Sequence, residues 1–483
     1  MRLTNIEKEL LIAKNEQEYA DTYNSLNWIT PENIEALLDE RESILAKLRL
    51  HGVEEGYNAT KLDVRTLSQG CRHCAEGEWS CLFINGICNA SCMYCPTSQM
   101  EKGVPTTSTL DFPDVNDYIA YLRRYQFKGV SLSGGEPLLT FDTTLNYITQ
   151  IRKALGPDIY IWMYTNGILA STDKFEALRD AGLNEVRFDI GATGYKLDGL
   201  KTALGLIPVV TVEIPAVPSH FDKLKVAVAE LASLGVKLIN LHQLRLTPHN
   251  LPRIADKGFT FLHGTKVTVL ESELTALRLM LFNLENGINL PVNYCSFPFK
   301  NRFQSRAARQ RTSAEVAKSY EEITDTGHIR VLAVKGQPEA IEALAEYLSS
   351  VKGFADKWRL QYPGNNITLT KDVLEAIDTK DLSVNISYYN TAFLPQISYR
   401  NAFVEVNLTA KRKIVVEKMT LIKELELTPD ETQWLKQLLT LAGVEKELYL
   451  RELIANRIEE PRKQLWVKIS DCEVVMHGLA DYF

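Results

Sequence analysis

The chain has 483 residues, of which 45% are hydrophobic and 24% charged, so it exceeds one small core and predicts roughly three units of ~150 residues, unless an α/β barrel uses more as one unit. Its formal charge of -7 argues against a broad nucleic-acid surface, because binding phosphates needs clustered cations. No apolar stretch approaches the ~20 residues of a membrane span and the start carries Glu7 and Glu9 among its apolar residues, so a cytoplasmic protein with no membrane association is expected.

Residues 1–50 read as helical. Thr30, Pro31 and Glu32 form an N-cap followed by proline at the first helical position. Ile34, Leu37, Leu38, Ile44, Leu45 and Leu48 recur near helical spacing, and Gly52 is a stop. Residues 1–67 are therefore expected to be a helical N-terminal segment capping the main domain.

Six of the eight cysteines, Cys71, Cys74, Cys81, Cys88, Cys92 and Cys95, fall within 25 positions; Cys295 and Cys472 lie far downstream. In a reducing compartment such crowding points to metal binding rather than disulfides. Isolated Cys472 reads as a buried thiol.

From about residue 80 to 245, apolar strand candidates alternate with amphipathic helix candidates. The strands are 81–85, 129–133, 159–164, 185–190, 209–214 and 237–242; the helices include 114–125, 142–154, 172–181 and 221–234. Successive βα units require parallel strands and right-handed crossovers, hence an α/β parallel barrel, open or closed, with its chemistry at the C-terminal strand ends. The polar stretch 310–326 suggests a boundary. It separates a barrel with a cysteine-rich entry (68–312) from a C-terminal α+β domain (325–483). In the latter, 328–334, 382–387 and 402–408 read as strands, and 338–351 and 429–456 as helices. It has no metal-ligand spacing or glycine-rich signature, and reads as scaffold or substrate recognition.

Cys88, Cys92 and Cys95, spaced CxxxCxxC, can ligate three irons of a cubane cluster and leave the fourth open to a chelating small molecule. Zinc sites can show similar spacing. Ser133-Gly134-Gly135-Glu136-Pro137 follows the second strand, where glycines permit close backbone approach. Tyr164-Thr165-Asn166-Gly167 ends the third. Arg187 and Asp189 alternate with apolar residues on the fourth, as inward polar contacts or a structural ion pair. Glu213 lies in EIPAVP at the end of the fifth, and His242, Gln243 and Arg245 precede Thr247-Pro248-His249-Asn250 on the sixth. Cys71, Cys74, Cys81 and Cys295 could build one tetrahedral zinc or iron site or hold an auxiliary Fe–S cluster. Cys81 is the least secure of these ligands because it lies within a strand. The alternative leaves Cys81 in the core and Cys71 with Cys74 as a redox or partly filled site.

The order CxxxCxxC with Tyr94 before the last cysteine, then GGEP, then TNG resembles the radical S-adenosylmethionine (SAM) superfamily. The resemblance implies a partial (β/α)6 barrel and a [4Fe-4S] cluster on Cys88, Cys92 and Cys95, whose open iron binds the amino and carboxylate groups of SAM. It further implies SAM contacts from Tyr94, Ser133, Gly134, Gly135, Glu136, Thr165, Asn166, Arg187, Asp189 and Glu213, with Glu136 near the SAM ammonium. The glycine-rich motif of many members is absent at the fifth strand, which leaves adenine recognition open.

Residues 70–96 and 293–304 look like a little-characterised radical SAM family related to pyruvate formate-lyase activating enzymes, over roughly 68 to 312. The expected activity is reductive cleavage of SAM and hydrogen-atom abstraction from a substrate such as a peptide or protein, with a reductant such as flavodoxin or ferredoxin. A glycyl-radical enzyme activase, a cobalamin-dependent radical methyltransferase (though DxHxxG is missing) and a non-catalytic iron–sulfur, electron-transfer or metal-binding module are the alternatives.

Overall fold

The computed structural model describes residues 5–361, 363, 365–441, 445, 449 and 460–483. The chain divides into two compact units, Arg2–Gln304 together with His477–Phe483, and Ser305–Met476.

The first unit is built on seven parallel strands in sequential order: β1 (Trp79–Asn85), β2 (Gly129–Gly134), β3 (Tyr160–Thr165), β4 (Glu185–Phe188), β5 (Val209–Pro215), β6 (Ile239–His242) and β7 (Val292–Cys295). Each strand alternates. Leu82, Val130, Leu132, Ile161, Met163, Val186, Val212, Leu241 and Val292 are buried on one face of the sheet. The opposite face carries Ser131 and Ser133, Trp162 and Tyr164, Glu185 and Arg187, Thr211 and Glu213, Asn240 and His242, Asn293 and Cys295. Parallel strands covered on both faces normally read as continuous apolar runs. Here the inner face is polar, so the sheet encloses a chemically equipped lumen.

Six strands were expected and the sheet has a seventh. β7 is four residues long, and its inward Asn293 and Cys295 break the apolar run that marks the other strands. The first six match their expected positions to within a few residues.

The N-terminal segment is helical only in part. Helices Asn5–Tyr19 and Pro31–Leu50 form as the spacing predicts. Residues 51–67 do not continue them. Gly52 takes φ +77, which ends the helix, and left-handed Tyr57, Asn58 and Ala59 turn the chain between the short strands Glu55–Gly56 and Lys61–Leu62. The second of these pairs antiparallel with β7, setting Lys61 opposite Cys295. Helix Gln69–Glu76 follows, capped by the Ser68 hydroxyl, which accepts from Cys71 N at 3.2 Å, and closed by Gly77 at φ +72. Its i,i+3 spacing puts Cys71 and Cys74 on one face.

In the second unit, antiparallel strands run in the order Trp358–Gln361, Asn366–Leu369, Ile329–Lys335, Ser383–Leu394, Lys413–Leu427, Phe403–Asn407. Helices Pro338–Ser350, Lys371–Ala376, Pro429–Thr440 and Glu460–Glu473 contribute to its core, which includes Ile341, Leu348, Val373, Trp434, Leu438 and Cys472. Residues 310–326 are not a linker throughout: helix Ser305–Val316 buries Thr312, Ser313 and Val316. The helix expected over 429–456 is present as Pro429–Thr440; 442–444, 446–448 and 450–456 lie outside the described residues.

Candidate active site

Cys88, Cys92 and Cys95 follow β1 on a half-buried loop at its C-terminal end. The loop is pinned from both sides. Toward β2, Gly135 N donates to Asn85 O at 2.9 Å and Glu136 N to Ile87 O at 2.7 Å. A Cβ on Gly135 would lie 1.8 Å from Ile87 O, and one on Gly134 (φ +120) 2.2 Å from Asn85 O, so both glycines are required for this approach. From the β6 side, Thr247 Oγ1 donates to Pro96 O, Asn250 Nδ2 to Tyr94 O, and Arg253 Nη1 and Nη2 to Cys92 O and Cys95 O at 3.0 and 3.4 Å.

The motif at the end of β3 completes the frame. Glu136 is buried, and its carboxylate accepts from Leu138 N, Thr165 Oγ1 and Asn166 N at 2.9, 2.8 and 2.7 Å. Three of its acceptor positions are thus used in joining the two motifs. Asn166 Nδ2 donates to Asn89 Oδ1 at 2.8 Å and to Cys88 Sγ at 3.5 Å, and Ala90 N donates to the same sulfur at 3.4 Å. Tyr94 OH donates to Asp189 Oδ1 at 2.7 Å. Burial lifts the Asp189 carboxyl to about 6, against the hydrogen bonds it accepts from Tyr94 and the backbone. Burial and the Asp189 charge push the Cys92 thiol up to about 12.

Three thiols on one loop, free of disulfides and with N–H groups directed at sulfur, fit a cluster that takes three protein ligands. They do not suit one tetrahedral ion. Among the described residues, the trio of possible ligand atoms lying mutually within 4.8 Å is His73, Glu76 and Glu78, where Lys128 already pairs with Glu78.

Arg187 and Glu213 stand elsewhere. They line a lumenal cavity of about 280 Å³ with Lys61, Cys71, Cys74, Cys81, Ser133, Tyr164, His242 and Cys295. Arg187 Nε donates to Glu185 Oε1 at 2.8 Å and Nη1 to Glu213 Oε2 at 2.6 Å. Glu213 Oε1 lies 2.6 Å from His242 Nε2. Burial alone would raise the Glu213 carboxyl, but the Arg187 and His242 charges hold it well below the ordinary carboxylate range. Cys295 behaves similarly: burial raises its thiol, while Lys61, His242 and Lys300 outweigh this and bring it down to about 6. Cys71 and Cys74, pushed up by burial, face the Lys61 ammonium too. Cys81 lines the same cavity beside Ser131, and burial raises it to about 11.

A family profile for the radical SAM superfamily matches residues 82–198. The chain thus carries a radical SAM domain over these residues. It is an enzyme of that class, with a [4Fe-4S] cluster and SAM as its cofactors. It is 27% identical over 346 residues to a putative glycyl-radical enzyme activating enzyme of Methanocaldococcus jannaschii, covering 68% of this chain and 90% of the relative. It is 29% identical over 140 residues to the GTP 3',8-cyclase of Listeria monocytogenes, covering 25% of this chain and 40% of that enzyme. Among solved structures, Streptococcus suis SuiB bound to precursor peptide SuiA superposes with a TM-score of 0.36 at 14% identity, over 67% of this chain and 72% of that one. Among the described residues no helix is long and apolar enough to cross a membrane.

Sequence reasoning missed Lys61, Asn85, Asn89 and Arg253. Lys61 sits in a two-residue strand and Arg253 in a four-residue helix, and neither has a spacing that marks it. Asn85, as the last residue of the first strand before the cysteine loop, was the one with a positional signal.

Proposed function

We propose that this radical SAM enzyme abstracts a hydrogen atom from a peptide or protein substrate, with its cluster on Cys88, Cys92 and Cys95. The carrying observation is the two-sided clamp on the cysteine loop, from the β2 strand end and from Thr247, Asn250 and Arg253. When bound, the cofactor pair supplies reductive cleavage of SAM to methionine and a 5′-deoxyadenosyl radical, with the electron coming from a flavodoxin or ferredoxin.

The chain's own residues orient and enclose. Asn166 and Ala90 N–H groups offset negative charge on the Cys88 sulfur. Glu136 and Thr165 hold Asn166 in place rather than presenting a free carboxylate, and the Ser133–Gly135 strand end and Tyr94 bind SAM. Asp189 fixes the Tyr94 ring through its hydroxyl. Arg187 and Glu213 organise the charges of the lumen, and the strand ends around the cysteine loop shield substrate from water and hold one C–H bond in reach. A second unit with its own antiparallel sheet exceeds what holding the cofactors needs, which favours a large substrate.

The test is anaerobic reconstitution of the full chain with iron, sulfide, SAM and a strong reductant. 5′-Deoxyadenosine is the expected product. Its absence with a demonstrably intact cluster would remove the enzymatic assignment of these cysteines. The likeness to the putative activating enzyme favours a second reading, a glycyl-radical activase. That reading requires a partner protein to acquire a stable glycyl radical, seen by electron paramagnetic resonance.

A further inference from the structure

The lumen contains a second group of soft ligands with no part in the clamp just described. Cys71 and Cys74 come from one face of helix Gln69–Glu76, and Cys295 from the last residue of β7. His242 ends the neighbouring strand, paired in register with Cys295. Its Nε2 is held by the Glu213 carboxylate at 2.6 Å, and the ring turns its other side to the Cys295 thiol, a hydrogen-bond partner. A carboxylate gripping one imidazole nitrogen and turning the other toward a soft ligand is the arrangement that orients a metal-bound histidine. We propose that Cys71, Cys74, Cys295 and His242 ligate a second, iron–sulfur centre inside the lumen, and that Cys81 is not one of its ligands.

Three features support this choice. The first is charge. Lys61 is fully buried with Asn240 Oδ1 at 3.3 Å, and the thiols of Cys295, Cys71 and Cys74 act on its ammonium ahead of the Glu213 carboxylate, which Arg187 already pairs. A buried ammonium without an anion is costly. A [4Fe-4S]2+ core on three thiolates and a neutral imidazole carries one net negative charge, which Lys61 matches. The second is spacing. Thiolates on one zinc lie about 3.8 Å apart, given Zn–S bonds near 2.3 Å. No cysteine trio among the described residues lies mutually within 4.8 Å, in the lumen or on the Cys88–Cys95 loop, so no three of these thiols are placed to share one ion. The cavity of about 280 Å³ leaves space for a polynuclear core. The third is the surrounding donors: Gln304 Nε2 donates to Cys74 Sγ at 2.6 Å, as N–H groups do around cluster sulfurs. Cys81 lacks such a setting. It lies within β1, and its partner is the Ser131 hydroxyl on the adjacent strand.

The experiment uses the full chain with Cys88, Cys92 and Cys95 all changed to Ala, reconstituted anaerobically with iron and sulfide. It is expected to retain roughly four irons and four sulfides per chain, with the Mössbauer spectrum of a cubane. Adding Cys71→Ala and Cys295→Ala removes them. A variant that is folded by circular dichroism yet binds no iron overturns the site. Stoichiometric zinc without acid-labile sulfide overturns the cluster assignment. Pulsed paramagnetic resonance of the reduced centre should show 14N coupling, lost in His242→Cys while the iron content is kept. Absence of that coupling in the parent overturns histidine ligation, and loss of iron in Cys81→Ser overturns the ligand set.

Discussion

Two groups of cysteines sit in one barrel and are built in opposite ways. The outer group, Cys88, Cys92 and Cys95, falls within eight consecutive positions on a half-buried loop, and its geometry is imposed by backbone hydrogen bonds from the β2 side and side-chain donors from the β6 side. The inner group draws Cys71 and Cys74 from a capped helix and Cys295 from a strand more than 200 residues later, beside buried Lys61 and Arg187. Local spacing encodes the first. Topology encodes the second, through the register that puts Lys61, Cys295 and His242 side by side.

The sharpest way to break this comparison is to delete one group. With Cys88, Cys92 and Cys95 changed to Ala, 5′-deoxyadenosine formation should fall below detection, because no other group of the fold offers three thiols beside the GGEP and TNG motifs. If product persists at more than a few per cent, the outer group is not the initiator. Lumenal iron, measured in the same samples, should be unaffected.

Next in size is the clamp itself. Gly135→Ala sets a methyl 1.8 Å from Ile87 O, where both backbones are already fixed by hydrogen bonds. Overpacking against backbone should cost about 3 kcal/mol or more and displace the cysteine loop. A thermal melt and an iron count read both effects. A wild-type melting temperature would mean that the approach of β2 to the loop is looser than the hydrogen bonds indicate.

A pair of buried carboxylates gives the comparison a pH axis, read on the apoprotein. Asp189, beside the outer loop, is raised from its ordinary 3.8 to about 6 by burial. Between those values the native state holds more protons than the unfolded chain, so stability should fall as pH rises from about 4 to about 6, by up to ~3 kcal/mol. Glu213, in the lumen, is shifted the other way: burial is outweighed by Arg187 and His242. Its contribution is present above the ordinary carboxylate range and lost as pH falls below it. Denaturant midpoints of Asp189→Asn and Glu213→Gln should therefore flatten opposite limbs of the profile. Identical profiles would dissolve the distinction.

The same contrast explains what was legible from sequence. Six of the seven parallel strands were found because apolar runs bounded by turns are local signals. The seventh was lost because polar inward residues interrupt a four-residue strand. The motifs GGEP and TNG were readable as neighbours of the cysteine loop, but the hydrogen bonds by which Glu136 joins them were not. A carboxylate whose oxygens accept from Leu138, Thr165 and Asn166 looks, in sequence, like one free to meet a ligand. Arg187 was recognised as inward and polar, and Glu213 as lying at the end of the fifth strand. Their depth in the lumen depends on strand stagger and on the helix that carries Cys71, neither of which a periodicity reports. Lys61 carried no signal at all, since its importance comes from a pairing with a residue far downstream.

The smallest expected effect tests whether side-chain anchoring matters where backbone anchoring already exists. Arg253 donates to the carbonyls of Cys92 and Cys95, but the loop is half-exposed and water can replace a lost donor there. Arg253→Ala should therefore cost only about 1 kcal/mol, less than removal of a buried charged hydrogen bond. That corresponds to roughly a five-fold faster loss of outer iron to a chelator. The lumenal centre should release iron at its wild-type rate, because its ligands are buried and held by a helix and a strand rather than by this loop. Acceleration of both phases together would show that the two groups share one support, and the division between a locally encoded and a topologically encoded site would have to be given up.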